Sequence, residues 1–168
     1  ANSIWNAFDR LKITQKKSLR YKEQDEGKCA VFLLSIEEIS DSDIVYVDES
    51  GIEEGSCKEY AWSEIGMPIQ GQKSGKSYNR MNIIGAYTQA KCIAPFTFYG
   101  SCNTNIFNLW LEKVLVPELR PGQVVILDNA SFHKSQRTKD IIEKAGCRLI
   151  FLPPYSPDLN PIEKFWAN

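Results

Sequence analysis

The chain has 168 residues, 43% of them apolar, with 20 Lys and Arg against 21 Asp and Glu and a net charge of −1. That size suits one domain with a short appendage, able to bury roughly two-thirds of its unfolded surface. The near-zero charge excludes a globally basic nucleic-acid coat, the lack of any run near 18 apolar residues excludes a helical membrane span, and a single histidine, His133, excludes a zinc centre of several histidines. Five cysteines, an odd number with no C-x-x-C pair, read as reduced thiols of a cytoplasmic protein. The opening ANSIWNAFDR carries no signal-peptide pattern, and its start on Ala reads as a fragment.

Residues 1–43 read as helical and charged, and Arg10 to Lys22 holds six basic residues and no acid. Lys12, Lys16, Lys17 and Arg20 are candidate phosphate contacts there, against the plainer reading of a solvated face. Ile44 to Asp48 predicts a strand from its β-branched and aromatic run. Residues 51–80 are Gly-rich and predict a long excursion with at most one short strand, in which Lys73, Lys76 and Arg80 are further candidate phosphate contacts. The glycines around Lys73-Ser74-Gly75-Lys76 lack the spacing of a phosphate-cradling loop.

Met81 to Thr88 and Cys92 to Tyr99 predict an antiparallel hairpin. A buried helix follows over 105–116, with Thr104 as N-cap and Pro117 as its stop. Val124 to Leu127 has the unbroken apolar character of a central strand. Ser135 predicts the cap of a helix running to Ala145, which Gly146 ends. Arg148 to Leu152 is the last strand. Pro153, Pro154 and Pro157 then impose an extended connection, and Asn160-Pro161-Ile162-Glu163 opens a final helix. Three strands, helix, strand, helix, strand, helix predicts an α/β protein: a mixed five-stranded sheet flanked by helices, in the order of the ribonuclease H-like fold.

Three acids fall at informative places in this scheme. Asp48 closes the first strand in VYVDES, Asp128 closes the central strand in VVILDNASFH, and Glu163 lies in the first turn of the last helix in PPYSPDLNPIEKFW, with 34 residues between it and Asp128. If the first and fourth strands are neighbours, Asp48 and Asp128 lie side by side and the last helix brings Glu163 across. Such a trio can hold two divalent cations against a phosphodiester, Mg²⁺ by preference for hard oxygen ligands and Mn²⁺ as a substitute. Without cations the three charges repel, so at least one carboxylate pKa is expected to be raised. Each acid also has an ordinary explanation: strand-end polarity for Asp48, turn chemistry for Asp128-Asn129, and a capping box with Asn160 for Glu163. Glu49 is expected on the opposite sheet face from Asp48. His133 is read either as a contact to the scissile phosphate or nearby DNA, or as a loop histidine bonded to backbone.

Taken in order, VYVDES, LDNASFH and PPYSPDLNPIEKFW resemble the catalytic domain of mariner-type DDE transposases, in the branch found in bacterial insertion sequences. The resemblance covers roughly residues 44–168 and implies that Asp48, Asp128 and Glu163 are the metal-binding catalytic triad, with Asn129, His133 and Asn160 close to the site or to DNA. It implies cleavage of double-stranded DNA at transposon ends, release of 3′-hydroxyls, and their transfer into target DNA at a TA dinucleotide, by a homodimer in the bacterial cytoplasm at the nucleoid. Residues 1–43 would be a linker and the remnant of an N-terminal DNA-binding region, and 52–80 an insertion reaching across a dimer. The last helix stops five residues after Glu163, a truncation expected to loosen that residue's hold. A nuclease of the same fold without strand transfer, and an inactive DNA-binding or dimerising remnant, are the competing readings.

Overall fold

The computed structural model describes residues 6–7, 10–12, 21–53 and 80–167. Among these residues one mixed sheet has the spatial order β3-β2-β1-β4-β5, from β1 (Ile44–Glu53), β2 (Arg80–Thr88), β3 (Lys91–Tyr99), β4 (Val124–Leu127) and β5 (Arg148–Phe151). The first three strands pair antiparallel, and β4 and β5 add parallel to β1. The expected five-stranded α/β architecture is borne out. Helix α1 spans Glu26–Ile36, α2 Thr104–Trp110, α3 Gln136–Lys144 and α4 Pro161–Trp166.

The sheet separates two apolar layers, because alternate side chains of a strand face opposite sides. Val45 and Val47 of β1 and Val125 and Leu127 of β4 point into the larger layer, where Phe107, Trp110, Leu111 and Leu115 of the α2 region and Ile142 of α3 cover them. Ile44, Val124 and Ile126 point the other way, against Phe32 of α1 and Leu152. All four residues of β4 are buried, as a strand covered on both faces requires. A buried polar cluster ties α2 to α3: the Thr138 hydroxyl donates to Asn108 Oδ1 at 2.7 Å, and Asn108 Nδ2 donates to the Ser135 hydroxyl at 3.2 Å.

Three local expectations are corrected. Strand β1 does not end at Asp48 but continues to Glu53, paired with β2 from Tyr46↔Tyr87 to Glu53↔Arg80. Gly51 reads as a chain break, yet here it clears a path: a Cβ at that position would run into the Arg80 guanidinium. The cap of α2 is Asn103, whose Oδ1 accepts from the backbone N–H of Asn105 and Ile106 at 3.0 Å, rather than Thr104. That helix is regular only to Trp110. It then widens over Leu111–Leu115 and tightens over Val116–Glu118, where Pro117 stops it. The cap of α3 is Ser135, as expected, with its hydroxyl accepting from Thr138 N–H, and Gly146 follows it at a φ of 73°.

In β3, Pro95 lacks a ladder donor. The register slips beside it, from Ile84↔Phe96 to Ala86↔Ile93, so the proline sits in a bulge. Among the described residues no helix is long and apolar enough to cross a membrane, and Cys29, Cys92, Cys102 and Cys147 are free thiols.

Candidate active site

The β1–β4 register runs Ile44↔Val124, Val45↔Val125, Tyr46↔Ile126. Carried two residues further it sets Asp48, midway along β1, opposite Asp128, just past the carboxyl end of β4. Helix α4 approaches this edge from the face that Asp48 occupies. Ile162 is fully buried beneath it, Phe165 packs on Tyr87 with ring centroids 5.8 Å apart, and Trp166 lies over Gly85. Gly85 is the β2 partner of Asp48. A Cβ there would sit 3.1 Å from the Trp166 ring and 3.2 Å from Cys92 Sγ, so the missing side chain lets α4 settle close to the strand. Asp48, Asp128 and Glu163 line one cavity of about 360 Å³, together with Asn129, Asn160 and the Pro153–Pro157 connection. Among the described residues no three His, Cys, Asp or Glu side chains are grouped closely enough to hold a metal ion as they stand.

The capping box does not form. The Asn160 side chain makes no cap hydrogen bond. It is 4% exposed, and its Oδ1 is buried without a hydrogen-bond partner among the described residues. The Glu163 side chain faces the same cavity instead of reaching back to the cap. Asn129 also lines the cavity, but its amide donates to the Leu152 carbonyl and latches the end of β4 to the end of β5.

His133 is 0% exposed, and its ring bonds to carboxylates, Asp128 among them, which corrects the reading of a loop histidine bonded to backbone. Nδ1 lies 2.5 Å from Asp128 Oδ1 and Nε2 lies 2.9 Å from Glu49 Oε1. Phe107 and Phe132 enclose the ring, each centroid 4.2 Å away.

These surroundings drive the two strand-end aspartates apart. Burial, followed by the charges of Glu163, Glu49 and Asp128, pushes Asp48 up to about 7. The raised carboxylate expected from charge crowding is present, and burial is its larger cause. Burial also pushes Asp128 up, but the hydrogen bonds from His133 and the Ala130 N–H reverse this and hold it below the ordinary value. For His133, burial pushes the pKa down, and the bonds to Asp128 and Glu49 outweigh it and raise it to about 9.

Of the candidate phosphate contacts, Lys12 is exposed. Arg80 is exposed too and lines a different cavity, shared with Glu49, Asn82 and Cys102. Lys16, Lys17, Arg20, Lys73 and Lys76 lie outside the described residues, as does most of the 52–80 insertion.

Sequence reasoning passed over three residues. Glu49 was visible as the acid on the face of Val45 and Val47, and the chain's one histidine needed a partner there. Tyr21 and Tyr155 form the cavity rim, ring centroids 6.0 Å apart and both exposed. Tyr21 is brought there by Gln24, whose amide donates to Asp158 Oδ1 at 2.9 Å. That contact spans most of the chain and leaves no local signal.

A sheet of this order, with facing acids on two adjacent parallel strands and a third on the last helix, defines the ribonuclease H-like class. The chain belongs to the DDE superfamily endonuclease family, whose model matches residues 43–168. It is 28% identical over 140 residues to the transposable element Tc3 transposase of Caenorhabditis elegans, covering 75% of this chain and 40% of that protein. The fold is similar to the Mos1 strand transfer complex, with a TM-score of 0.72 at 19% identity over 99% of this chain and 54% of the other. It is also similar to the Mos1 mariner paired-end complex with Mn, with a TM-score of 0.70 at 19% identity over 99% and 55% of the two chains. The resemblance to mariner-type DDE transposases read from the three acidic motifs is borne out. The chain spans about half the length of these relatives, or less.

Proposed function

We propose that this chain is the catalytic domain of a transposase that cleaves double-stranded DNA at transposon ends and transfers the freed 3′-hydroxyls into target DNA at TA. The observation that carries the reading is a single cavity lined by Asp48, Asp128 and Glu163, in which Asp48 is pushed up to about 7. Family membership supports the reaction class.

The side chains suit a hard divalent cation. The donor set is all oxygen, and the orphaned Asn160 Oδ1 in the same cavity is an atom that a cation or its water would satisfy. Mg²⁺ binds through one or two carboxylates and keeps several waters, so separate acids suit it better than a closed cage. Mos1 paired-end complexes with Mn and with Mg support the same choice. Asp48, Asp128 and Glu163 would hold two such ions, which when bound supply an activated water and relieve charge on the leaving oxygen.

The protein's own part is positional. β1 and β4 hold Asp48 and Asp128 on rigid backbone, α4 sets Glu163 across from them, and Asn129 pins the β4 edge. Lys12, Lys16, Lys17, Arg20, Lys73, Lys76 and Arg80 would meet DNA phosphates, in a homodimer acting in the cytoplasm at the bacterial nucleoid. Residues 1–43 would link to a DNA-reading region and 44–168 would carry the chemistry.

The test is a pair of assays with Mg²⁺ or Mn²⁺: nicking of supercoiled plasmid, and joining of pre-cleaved duplexes bearing the inverted repeats that border the gene. Wild type is expected to do both, and Asp48→Asn, Asp128→Asn and Glu163→Gln to do neither. Nicking without joining would leave a nuclease. Activity retained by any one of the three variants would remove that residue from the triad.

A further inference from the structure

The chain of side chains Glu49–His133–Asp128 runs from the buried interior to the acidic cavity, which Asp128 lines and Glu49 and His133 do not. Asp128 Oδ1 takes two hydrogen bonds, from the Ala130 N–H at 2.9 Å and from His133 Nδ1 at 2.5 Å. Among the described residues Oδ2 takes none. The His133 ring cannot rotate freely, because Phe107 and Phe132 pack against it and Glu49 holds its far nitrogen at 2.9 Å. Asp128 is 42% exposed at its side chain while His133 is 0% exposed, so the bonded half of the carboxylate faces the interior and the rest faces the cavity side.

We propose that Glu49 and His133 are positioning residues that lock Asp128 through Oδ1 and leave Oδ2 as the oxygen offered to a cation. This deepens the proposed function and rests on Asp128 being a cation ligand. Glu49 neither lines the acidic cavity nor touches Asp128; it acts only through the ring. Glu49 and Asp48 are consecutive in β1, so one strand supplies a cavity acid on one face and the anchor of the opposing acid's clamp on the other. A partner that orients a metal ligand typically accounts for about 10–100-fold in metal affinity.

The single histidine makes the test direct, since every imidazole signal in the protein belongs to His133. Imidazole ¹H–¹⁵N spectra at one fixed pH, together with Mn²⁺ titration followed by electron paramagnetic resonance, are to be recorded for wild type, Glu49→Gln, Glu49→Ala and Asp128→Asn. Both ring N–H protons are expected to be visible and shifted downfield in wild type. Glu49→Ala should move the Nε2 signal and weaken Mn²⁺ binding by about 10–100-fold, and Glu49→Gln, which keeps an acceptor, should recover part of that loss. Glu49→Gln also serves should Glu49→Ala not fold. If both Glu49 variants bind Mn²⁺ like wild type while Asp128→Asn does not, the positioning role is overturned and Asp128 stands as a ligand. If Asp128→Asn itself binds Mn²⁺ like wild type, the underlying site assignment is overturned instead.

Discussion

Asp48 and Asp128 occupy facing positions on neighbouring parallel strands, Asp48 within β1 and Asp128 just past β4, and have opposite electrostatic fates. Asp128 has its counter-charge built in, from a buried histidine held by Glu49. Asp48 has none: it is half-buried beside three other carboxylates and is pushed up to about 7. The contrast shows how a protein can keep an acidic cluster before any cation arrives. One acid is neutralised from behind by the protein, and the other is raised by burial and by its acidic neighbours. The two faces of β1 make this possible, since successive residues serve opposite layers.

The largest effect that bears on this comparison is on chemistry. Asp48→Asn and Asp128→Asn should each lower metal-dependent nicking by about 10³-fold or more, as loss of several kcal/mol of transition-state stabilisation implies. Equal losses would show that the two acids, however differently prepared, meet in the same reaction. Circular dichroism of both variants should stay near wild type.

Stability should divide them. Asp128→Asn leaves the enclosed His133 with Glu49 alone and is expected to cost about 1–3 kcal/mol by denaturant titration, the usual range for stripping a charged hydrogen bond from a buried group. Asp48→Asn, which removes an unpaired acid, should be neutral or stabilising in chelator. The same sign for both would break the comparison.

Gly85→Val tests the third arm. The new side chain would press on Trp166 and Cys92, and overpacking of this kind costs about 1–3 kcal/mol. It should displace α4 and weaken Mn²⁺ binding while leaving the His133 imidazole signals unchanged. A shift in those signals would mean that the two sides of the site are not independent.

The smallest effect is in pH. Asp48 is raised from 3.8 to about 7, so its contribution to stability is complete below about pH 4 and is lost as pH rises through 7. His133 is raised from 6.5 to about 9, so its contribution is complete below 6.5 and is lost as pH rises through 9. In chelator, thermal melts should show a first loss between about pH 4 and 7, on the order of 1 kcal/mol or about 2–4 °C for a chain of this size. Asp48→Asn should abolish it without touching the second loss at higher pH.

The sheet order and the three acids were legible because each has a local signal. β4 is an unbroken apolar run, the two hairpin strands are joined by a short connection, and each acid follows an apolar strand-like run or opens a helix. The ends of elements were less legible. Gly51 looks like a break and is instead a crossing point for Arg80, and Asn103 outcompetes Thr104 because its longer amide reaches two N–H groups. The Asn160–Glu163 pattern satisfies every local rule for a capping box and forms none, because docking of Ile162 and Trp166 turns the helix toward the cavity. Glu49 and Tyr21 were hidden for a different reason. Their partners, His133 and Tyr155, lie far along the chain, and no spacing encodes such a contact.

The central claim is that these separate acids hold a divalent cation together. Mn²⁺ titration of the 168-residue chain, wild type against the Asp48→Asn, Glu163→Gln double variant, tests it most directly by electron paramagnetic resonance. Saturable binding by wild type, weakened at least tenfold in the variant, is the predicted result. Equal binding by both proteins would contradict the account.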